Sequence, residues 1–168
     1  LGGWKGSLLD GGVRIPFLVS WPGKLPAGKV YDSPVSSLDV LPTSLAAAGV
    51  TKVDGPLDGV NLLPFLRGEN KSDPHEALFF RWSGQSAIRV KDWKLLRTGA
   101  RRMLFNLTTD PGEKTDVRAE QQELSAALDK QLGDWLATLP EIKQDTPRGR
   151  GGRKVRTDGV SEPMEELP

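Results

Sequence analysis

A single lysine, Lys5, lies in a run of small residues that reads GGWKGSLLDGG from Gly2 to Gly12. An ammonium group that a glycine-rich loop holds near a sheet edge can approach an anionic substrate and neutralise charge that develops on a leaving oxygen. The alternative is a solvated surface lysine, which needs no ligand. Lys5 is therefore the first candidate for a catalytic and substrate-binding role.

Two polar segments further along the chain contain residues that acid–base or metal chemistry uses. His75 lies beside Glu76 in a polar loop, where it could exchange protons. A solvated histidine at a domain boundary is the alternative and favoured interpretation. Asp110 and Glu113 stand at turn spacing in the segment DPGE. A turn before the next helix explains this pair without a metal ion.

Aromatic and basic side chains provide two further candidate binding surfaces. Trp82 and Trp93 could line a substrate cleft, although their positions within strand patterns favour packing against the last helix. A group of C-terminal cations interleaved with glycine could bind RNA or another anionic surface; it consists of Arg148, Arg150, Arg153, Lys154 and Arg156. No aromatic residue lies among them to stack on bases, and the chain has 23 basic against 22 acidic residues. We therefore expect a solvated tail and no nucleic-acid partner.

The composition excludes several kinds of site. The chain of 168 residues has no cysteine and one histidine, which excludes disulfides, thiolate metal sites, a cysteine nucleophile and multi-histidine metal sites within these residues. Its longest apolar runs are interrupted after a few residues by proline, glycine or charge, so the sequence predicts no membrane-spanning segment. A hydrophobic fraction of 37% and a charged fraction of 27% are typical of a globular chain.

The elements that must position Lys5 begin with a predicted strand at Val13 to Trp21, VRIPFLVSW, which a Pro-Gly turn closes. Its apolar residues point to both faces, as in an α/β sheet that is covered on both sides. A helix is predicted from about Asp39 to Ala48, followed by a short helix between Pro64 and Gly68. One strand and one helix do not make a sheet, so residues 1–72 are predicted to end a larger α/β domain.

The second half of the chain has the pattern of a small α+β subdomain, residues 73–142. Four short strands, ALFFRW, SAIRV, DWKLLRT and RMLFNL, have short connections that favour a four-stranded antiparallel meander. A helix from about Ala119 to Leu139 has leucines at helical spacing that would cover one face of this sheet. Residues 143–168 have almost no apolar side chains and are predicted to be a disordered basic, glycine-rich tail.

Several of these segments, taken in order, resemble the sulfatases of the formylglycine type. The stretch GGWKGSLLDGGVRIPFLVSWPGKLPAG is similar to the family's Lys-Gly, acidic residue, Gly-Gly, strand and Trp-Pro-Gly turn, with Asp10 where Glu is more usual. The blocks SPVSSLDVLPTSLAAAG, LDGVNLLPFLRG, AIRVKDWKLL and LFNLTTDPGEKTDV follow in the family's order. The resemblance covers about residues 1–142, and several motifs in one order argue against a chance match.

The resemblance implies a sulfuric ester hydrolase of the alkaline phosphatase-like superfamily. In such enzymes a Ca²⁺ ion and a formylglycine hydrate lie at the edge of the sheet, and the hydrate attacks sulfur. Lys5 matches the family's lysine that contacts the sulfate. The implied substrate is a sulfate-ester small molecule or glycan, and the implied location is periplasmic, lysosomal or secreted.

The same resemblance implies groups that this sequence does not supply. The formylglycine precursor belongs to a Cys/Ser-x-Pro-x-Arg pattern, and the two nearest segments, residues 72–76 and 161–165, lack the arginine. The family's Asp/Asp pair near its N-terminus and its Asp-Asn pair just ahead of the lysine have no counterparts here, so no metal ligand is predicted. We expect a C-terminal fragment that is inactive alone.

Two other functions stay open at this stage, and so does the oligomeric state. A phosphodiesterase or phosphatase of the same superfamily would use the same lysine, because sulfate and phosphate esters have similar shapes. A non-catalytic interaction module is the second alternative. It predicts that these 168 residues fold cooperatively by themselves, without an exposed apolar surface at residues 13–21.

Overall fold

Four strands and four α-helices lie within residues 1–140, which are the residues that a computed structural model of the protein describes. The helices are α1 (Asp10–Val13), α2 (Val40–Ala47), α3 (Leu63–Leu66) and α4 (Gln122–Thr138). The strands are β1 (Leu78–Trp82), β2 (Gln85–Val90), β3 (Trp93–Thr98) and β4 (Arg101–Asn106). The tail predicted for residues 143–168, with its five cations, lies outside the described residues.

The four strands form one antiparallel sheet in the order β1-β2-β3-β4, which confirms the predicted meander. Its register places Ile88 opposite Leu95, and Leu95 opposite Leu104. The turn between β1 and β2 has positive φ angles at both central residues, 44° at Ser83 and 78° at Gly84. Two-residue hairpin turns of this kind match the natural twist of the strands, so the local sequence sets the pairing.

Both faces of the sheet are covered. On one face, leucines of α4 complete a cluster of buried residues: Ile88, Leu95, Leu104, Leu128 and Leu132. On the other face, the N-terminal segment adds its first leucine to a second cluster: Leu8, Ala87, Leu96, Phe105 and Leu107. Neighbouring residues of a strand point to opposite faces, so β2 and β3 contribute consecutive residues to different clusters. The segment that carries Lys5 is therefore itself a cover of the sheet.

The strand predicted for Val13–Trp21 is wrong. Val13 ends α1, and the residues after it pair with no strand in the described part of the chain. Side chains that the pattern assigned to a buried strand are exposed, with Ile15 at 67% and Leu18 at 89%. A strand needs neighbours for its backbone hydrogen bonds and its apolar faces. The segment has the pattern of a doubly covered strand, and residues 1–140 supply no such cover.

The predicted helix near Asp39 is confirmed. Ser36 caps its start: the Ser36 hydroxyl accepts from the backbone N–H of Leu38, and the Asp39 carboxylate accepts from the Ser36 N–H. A short 3-10 turn then leads into α2. Gly49, with φ 75°, follows the last turn in the left-handed conformation that commonly ends a helix. The long helix α4 begins at Gln122, a few residues after the predicted start, because Gln121 has non-helical φ and ψ of −124° and 52°.

We expect the 168-residue chain to bind a hydrophobic dye at an exposed apolar strip. The strip consists of Ile15, Phe17, Leu18 and Val19, whose exposed fractions range from 48% to 89%. Leu18→Ser should reduce dye fluorescence and leave the free energy of unfolding almost unchanged, since this side chain is 89% exposed. The matched control is Leu132→Ala in the core, which should cost about 2–5 kcal/mol of stability. Dye fluorescence as low as that of a folded reference protein would contradict the exposed strip.

Candidate functional site

Lys5 lies at the tip of a tight turn. The backbone N–H of Ser7 donates to the carbonyl of Trp4 at 3.0 Å, which closes the turn around Lys5 and Gly6. Gly6 has φ 88°, a value that the third residue of a type II turn requires and that glycine adopts without strain. The Lys5 side chain is exposed, and within residues 1–140 its ammonium has no hydrogen bond or ion pair. The turn thus presents an ammonium that is available to an anionic ligand.

The Gly-Gly pair after Asp10 allows the Lys5 loop to lie directly on α1. The backbone N–H of Gly11 donates to the carbonyl of Gly2 at 2.6 Å. A Cβ atom at Gly11 would be 2.5 Å from that carbonyl oxygen, and one at Gly12 would overlap the carbonyl oxygen of Ser7. Real Cβ atoms do not approach so closely, so any side chain here would push the loop away. The two glycines are required by backbone contact.

A buried ion group lies beneath this loop. The Lys94 ammonium is 2.7 Å from Oδ1 of Asp10 and 2.8 Å from Oε1 of Glu113. The backbone N–H of Asp10 donates to Oε2 of Glu113. Side-chain exposure is 1% for Lys94, 3% for Asp10 and 0% for Glu113. The guanidinium of Arg14, 3.8 Å from Oδ2 of Asp10, adds a second positive charge at the surface. Three distant segments therefore meet at one ammonium.

The β1–β2 hairpin holds the loop from the other side. The amide of Gln85 donates to the carbonyl of Gly6 and accepts from the backbone N–H of Leu8, both at 3.3 Å. Trp82 stands opposite Gln85 in the register, so both side chains lie on this face of the sheet. Trp82 is 59% exposed, and the core packing expected for it is wrong. Trp93, in contrast, packs against the cluster that α4 covers, as expected.

His75 is not a solvated histidine, and that interpretation is wrong. Its Nε2 lies 2.9 Å from both carboxylate oxygens of Asp39, and the His75 side chain is 12% exposed. Asp39 is fully buried and also accepts from the backbone N–H groups of Ser36 and Val60. The aspartate joins three loops, so His75 has a structural partner that lies far from it in the sequence.

The DPGE segment forms the expected turn, and its two acids have different roles. Asp110 accepts from the backbone N–H groups of Thr115 and Lys114 at 2.8 and 2.7 Å. Donation from Thr115 is the largest cause that lowers the pKa of Asp110 below its ordinary 3.8. Glu113 has a positive φ of 53° and turns inward to Lys94, which the sequence analysis missed. Within residues 1–140, no three His, Asp or Glu side chains are grouped so as to hold a metal ion.

Comparison with known proteins identifies the family. The family model described as N-sulphoglucosamine sulphohydrolase, C-terminal, matches residues 4–139. The chain belongs to the sulfatase family. Mouse (Mus musculus) steryl-sulfatase is 33% identical over 87% of this chain and 30% of its own length. Human (Homo sapiens) arylsulfatase D is 41% identical over 86% of this chain and 29% of its own length. The chain thus spans less than a third of these sulfatases.

Solved structures extend the similarity to the fold. Ps i-CgsB, crystallised in complex with k-i-k-neocarrahexaose, is 32% identical with a TM-score of 0.59, over 68% of this chain and 27% of that one. A Bacteroides thetaiotaomicron protein of glycosaminoglycan metabolism (BT33336S-sulf) has a TM-score of 0.68 over 81% of this chain and 32% of that one, at 23% identity. The second likeness concerns the fold alone. The sulfatase resemblance of the sequence is confirmed.

We expect the lowered pKa of Asp110 to make one part of the stability depend on pH. A carboxyl whose pKa is lower in the folded than in the unfolded state stabilises the fold above the unfolded value, 3.8, and loses this effect as pH falls through the folded value. The difference in unfolding free energy between the wild type and Asp110→Asn should therefore shrink on acidification below about pH 4. Urea unfolding followed by tryptophan fluorescence measures it. A difference that is constant with pH would contradict the assignment.

Proposed function

We propose that the chain is the C-terminal part of a sulfatase that hydrolyses sulfate monoesters, and that Lys5 contacts the sulfate. The observation that carries the proposal is the exposed ammonium on a hydrogen-bonded glycine turn, in a chain of the sulfatase family. Residues 1–72 would end the α/β sheet of an alkaline phosphatase-like domain, and residues 73–142 would form the small subdomain beside it. The apolar strip after α1 supports this, because it has the composition of a strand that lacks neighbours.

The chemistry proposed for Lys5 is electrostatic. Cleavage of a sulfate ester leaves negative charge on the sulfuryl oxygens and on the departing oxygen. A compact ammonium held in place before the reaction stabilises this charge without the cost of reorienting solvent. The turn fixes the backbone at Lys5, and the backbone contact between the loop and α1 limits movement of the turn. Both features suit a group that must meet a charge at a fixed position.

The family's Ca²⁺ ion and formylglycine do not fit the residues present. The two acids beneath the Lys5 loop, Asp10 and Glu113, are already paired with Lys94, and residues 1–140 contain no group of three side chains that could hold a metal ion. The sequence has no cysteine, and its three Ser-x-Pro segments, residues 20–22, 72–74 and 161–163, lack the arginine of the modification pattern. We therefore propose that the nucleophile and the metal ligands belong to another part of a longer protein, and that these 168 residues alone are inactive.

The proposed substrate is a sulfate-ester small molecule or a sulfated glycan. A glycan is supported by the related Ps i-CgsB, which was crystallised with k-i-k-neocarrahexaose. The proposed location is periplasmic, lysosomal or secreted. Among residues 1–140, no helix combines the length and the apolar character that crossing a bilayer requires.

The coding sequence upstream of Leu1 tests the reaction class. A Cys/Ser-x-Pro-x-Arg segment there, together with turnover of an aryl sulfate by the full-length protein, is the expected result. An unmodified Thr or Ser at the nucleophile position, with turnover of an aryl phosphate instead, would replace the sulfatase by a phosphatase or phosphodiesterase of the same superfamily.

In the full-length protein, we expect Lys5→Ala to lower kcat/KM for an aryl sulfate by about 100- to 1,000-fold, as loss of one preorganised donor does elsewhere. The thermal midpoint should stay unchanged, because the side chain is exposed and pairs with no charged group among residues 1–140. Lys130→Ala is the matched control: this lysine is 78% exposed, pairs with Asp134 on α4 and should leave kcat/KM unaltered. Unchanged kcat and KM in Lys5→Ala would remove Lys5 from the site.

A further inference from the structure

We propose that Lys94 is a positioning residue for the Lys5 loop. Its ammonium holds Asp10 and Glu113 together, and these two residues fix the base of the loop on the sheet. The effect on catalysis rests on the function proposed above for Lys5, whereas the effect on the loop does not.

Lys94 occupies a place that an apolar side chain would fill more easily. It lies on the central strand β3, opposite Phe105 in the register and two residues before Leu96, on the face where the N-terminal segment packs. Removing an ammonium from water is unfavourable, and well-packed hydrophobic replacements of buried ion pairs are often neutral or stabilising. Stability therefore does not explain a lysine here. A charge differs from an apolar group in that it selects particular partners at particular positions.

Glu113 is a second charged residue at a position where another residue type would be accommodated more easily. Its φ of 53° is unusual for a residue with a side chain, and glycine would adopt it without strain. Yet the position has a glutamate whose carboxylate is fully buried between the Lys94 ammonium and the Asp10 N–H. The Oε1 atom has no hydrogen bond of good geometry in the described residues, so its contact with Lys94 is ionic. The carboxylate is aimed at the base of the loop.

Both ends of the Lys5 loop meet at this turn. Asp10 donates its backbone N–H to Glu113, and the next residue, Gly11, donates to Gly2 at the start of the loop. Gly2 in turn lies so close to the carbonyl oxygen of Gly112 that a Cβ would be 2.5 Å away. The loop from Gly2 to Asp10 is thus closed at its base by contacts with residues 112 and 113. Without Lys94, two carboxylates would face each other there and repel.

Hydrogen exchange of the 168-residue chain tests the effect on the loop. We expect Lys94→Met to accelerate exchange of the Asp10 and Gly11 amides by about tenfold or more, while the Ile88 and Leu95 amides in the sheet keep their rates. Equal acceleration at all four amides would overturn the proposal, because it would show a general loss of stability. No acceleration at any of them would overturn it as well.

A double-mutant cycle in the full-length protein tests the effect on catalysis. If Lys94 acts through Lys5, Lys94→Met lowers kcat/KM for an aryl sulfate at least tenfold in the wild type and has no further effect in Lys5→Ala. Leu132→Ala, which weakens the opposite core, is the control and should have the same effect in both backgrounds. Multiplicative losses for Lys94→Met would assign it a purely structural role. If Lys5→Ala has no effect, the proposed function fails, and the exchange result still decides the role of Lys94 in the loop.

Glu113→Gln provides the same tests if Lys94→Met does not yield a folded chain. The amide keeps an acceptor for the Asp10 N–H and a similar shape, and it removes one of the two negative charges. We expect faster exchange at Asp10 and Gly11 only, with a smaller increase than for Lys94→Met. Unchanged exchange at these two amides in Glu113→Gln would contradict the role of the carboxylate.

Discussion

The buried ammonium of Lys94 is the interaction on which the arrangement of the N-terminal segment depends. Apolar contacts attract this segment to the sheet through Leu8, but hydrophobic attraction has no direction and would allow several placements. The ion group restricts the segment to one placement, because the Lys94 ammonium must contact carboxylates from α1 and from the turn after β4 at the same time. The cost of burying these charges is offset only in that geometry. Packing attracts the segment to the sheet, and the ion group sets its position.

The glycine pattern around Lys5 follows from that position. With α1 fixed on the sheet, the loop before it lies directly against the helix, and on this path the helix must lack side chains at Gly11 and Gly12. The loop is held by contacts at its two ends, by the Gln85 amide at Gly6 and Leu8, and by burial of the Leu8 side chain. This explains how Lys5 can be exposed and still be held in place. A solvated ammonium on a rigid base is what the proposed sulfate contact requires.

Local features of the sequence were sufficient to predict the sheet, and contacts between distant segments were not. The meander follows from short apolar runs and tight turns such as Ser83-Gly84, whose information lies within a few residues. The strand predicted after Val13 is wrong because its apolar pattern requires cover on both faces, and residues 1–140 do not provide that cover. The sequence pattern indicates no role for Lys94 and places Glu113 only in a turn. One available signal was the apolar pair Leu95-Leu96, which indicates a strand covered on both faces and hence an inward position for Lys94.

The four-stranded sheet is accordingly the support of the Lys5 loop. The meander has tight turns and contacts between consecutive strands, and local contacts of this kind favour fast folding. Lys94 and the two leucines after it then present both a charge and an apolar surface to the N-terminal segment. A lysine on a glycine loop has no means of its own to stay in place, since glycine lowers the cost of every alternative backbone conformation. In the proposed enzyme, the position of the ammonium that contacts the sulfate would therefore depend on Lys94, about ninety residues further along the chain. Catalysis would then require that the sheet carrying Lys94 is stably folded.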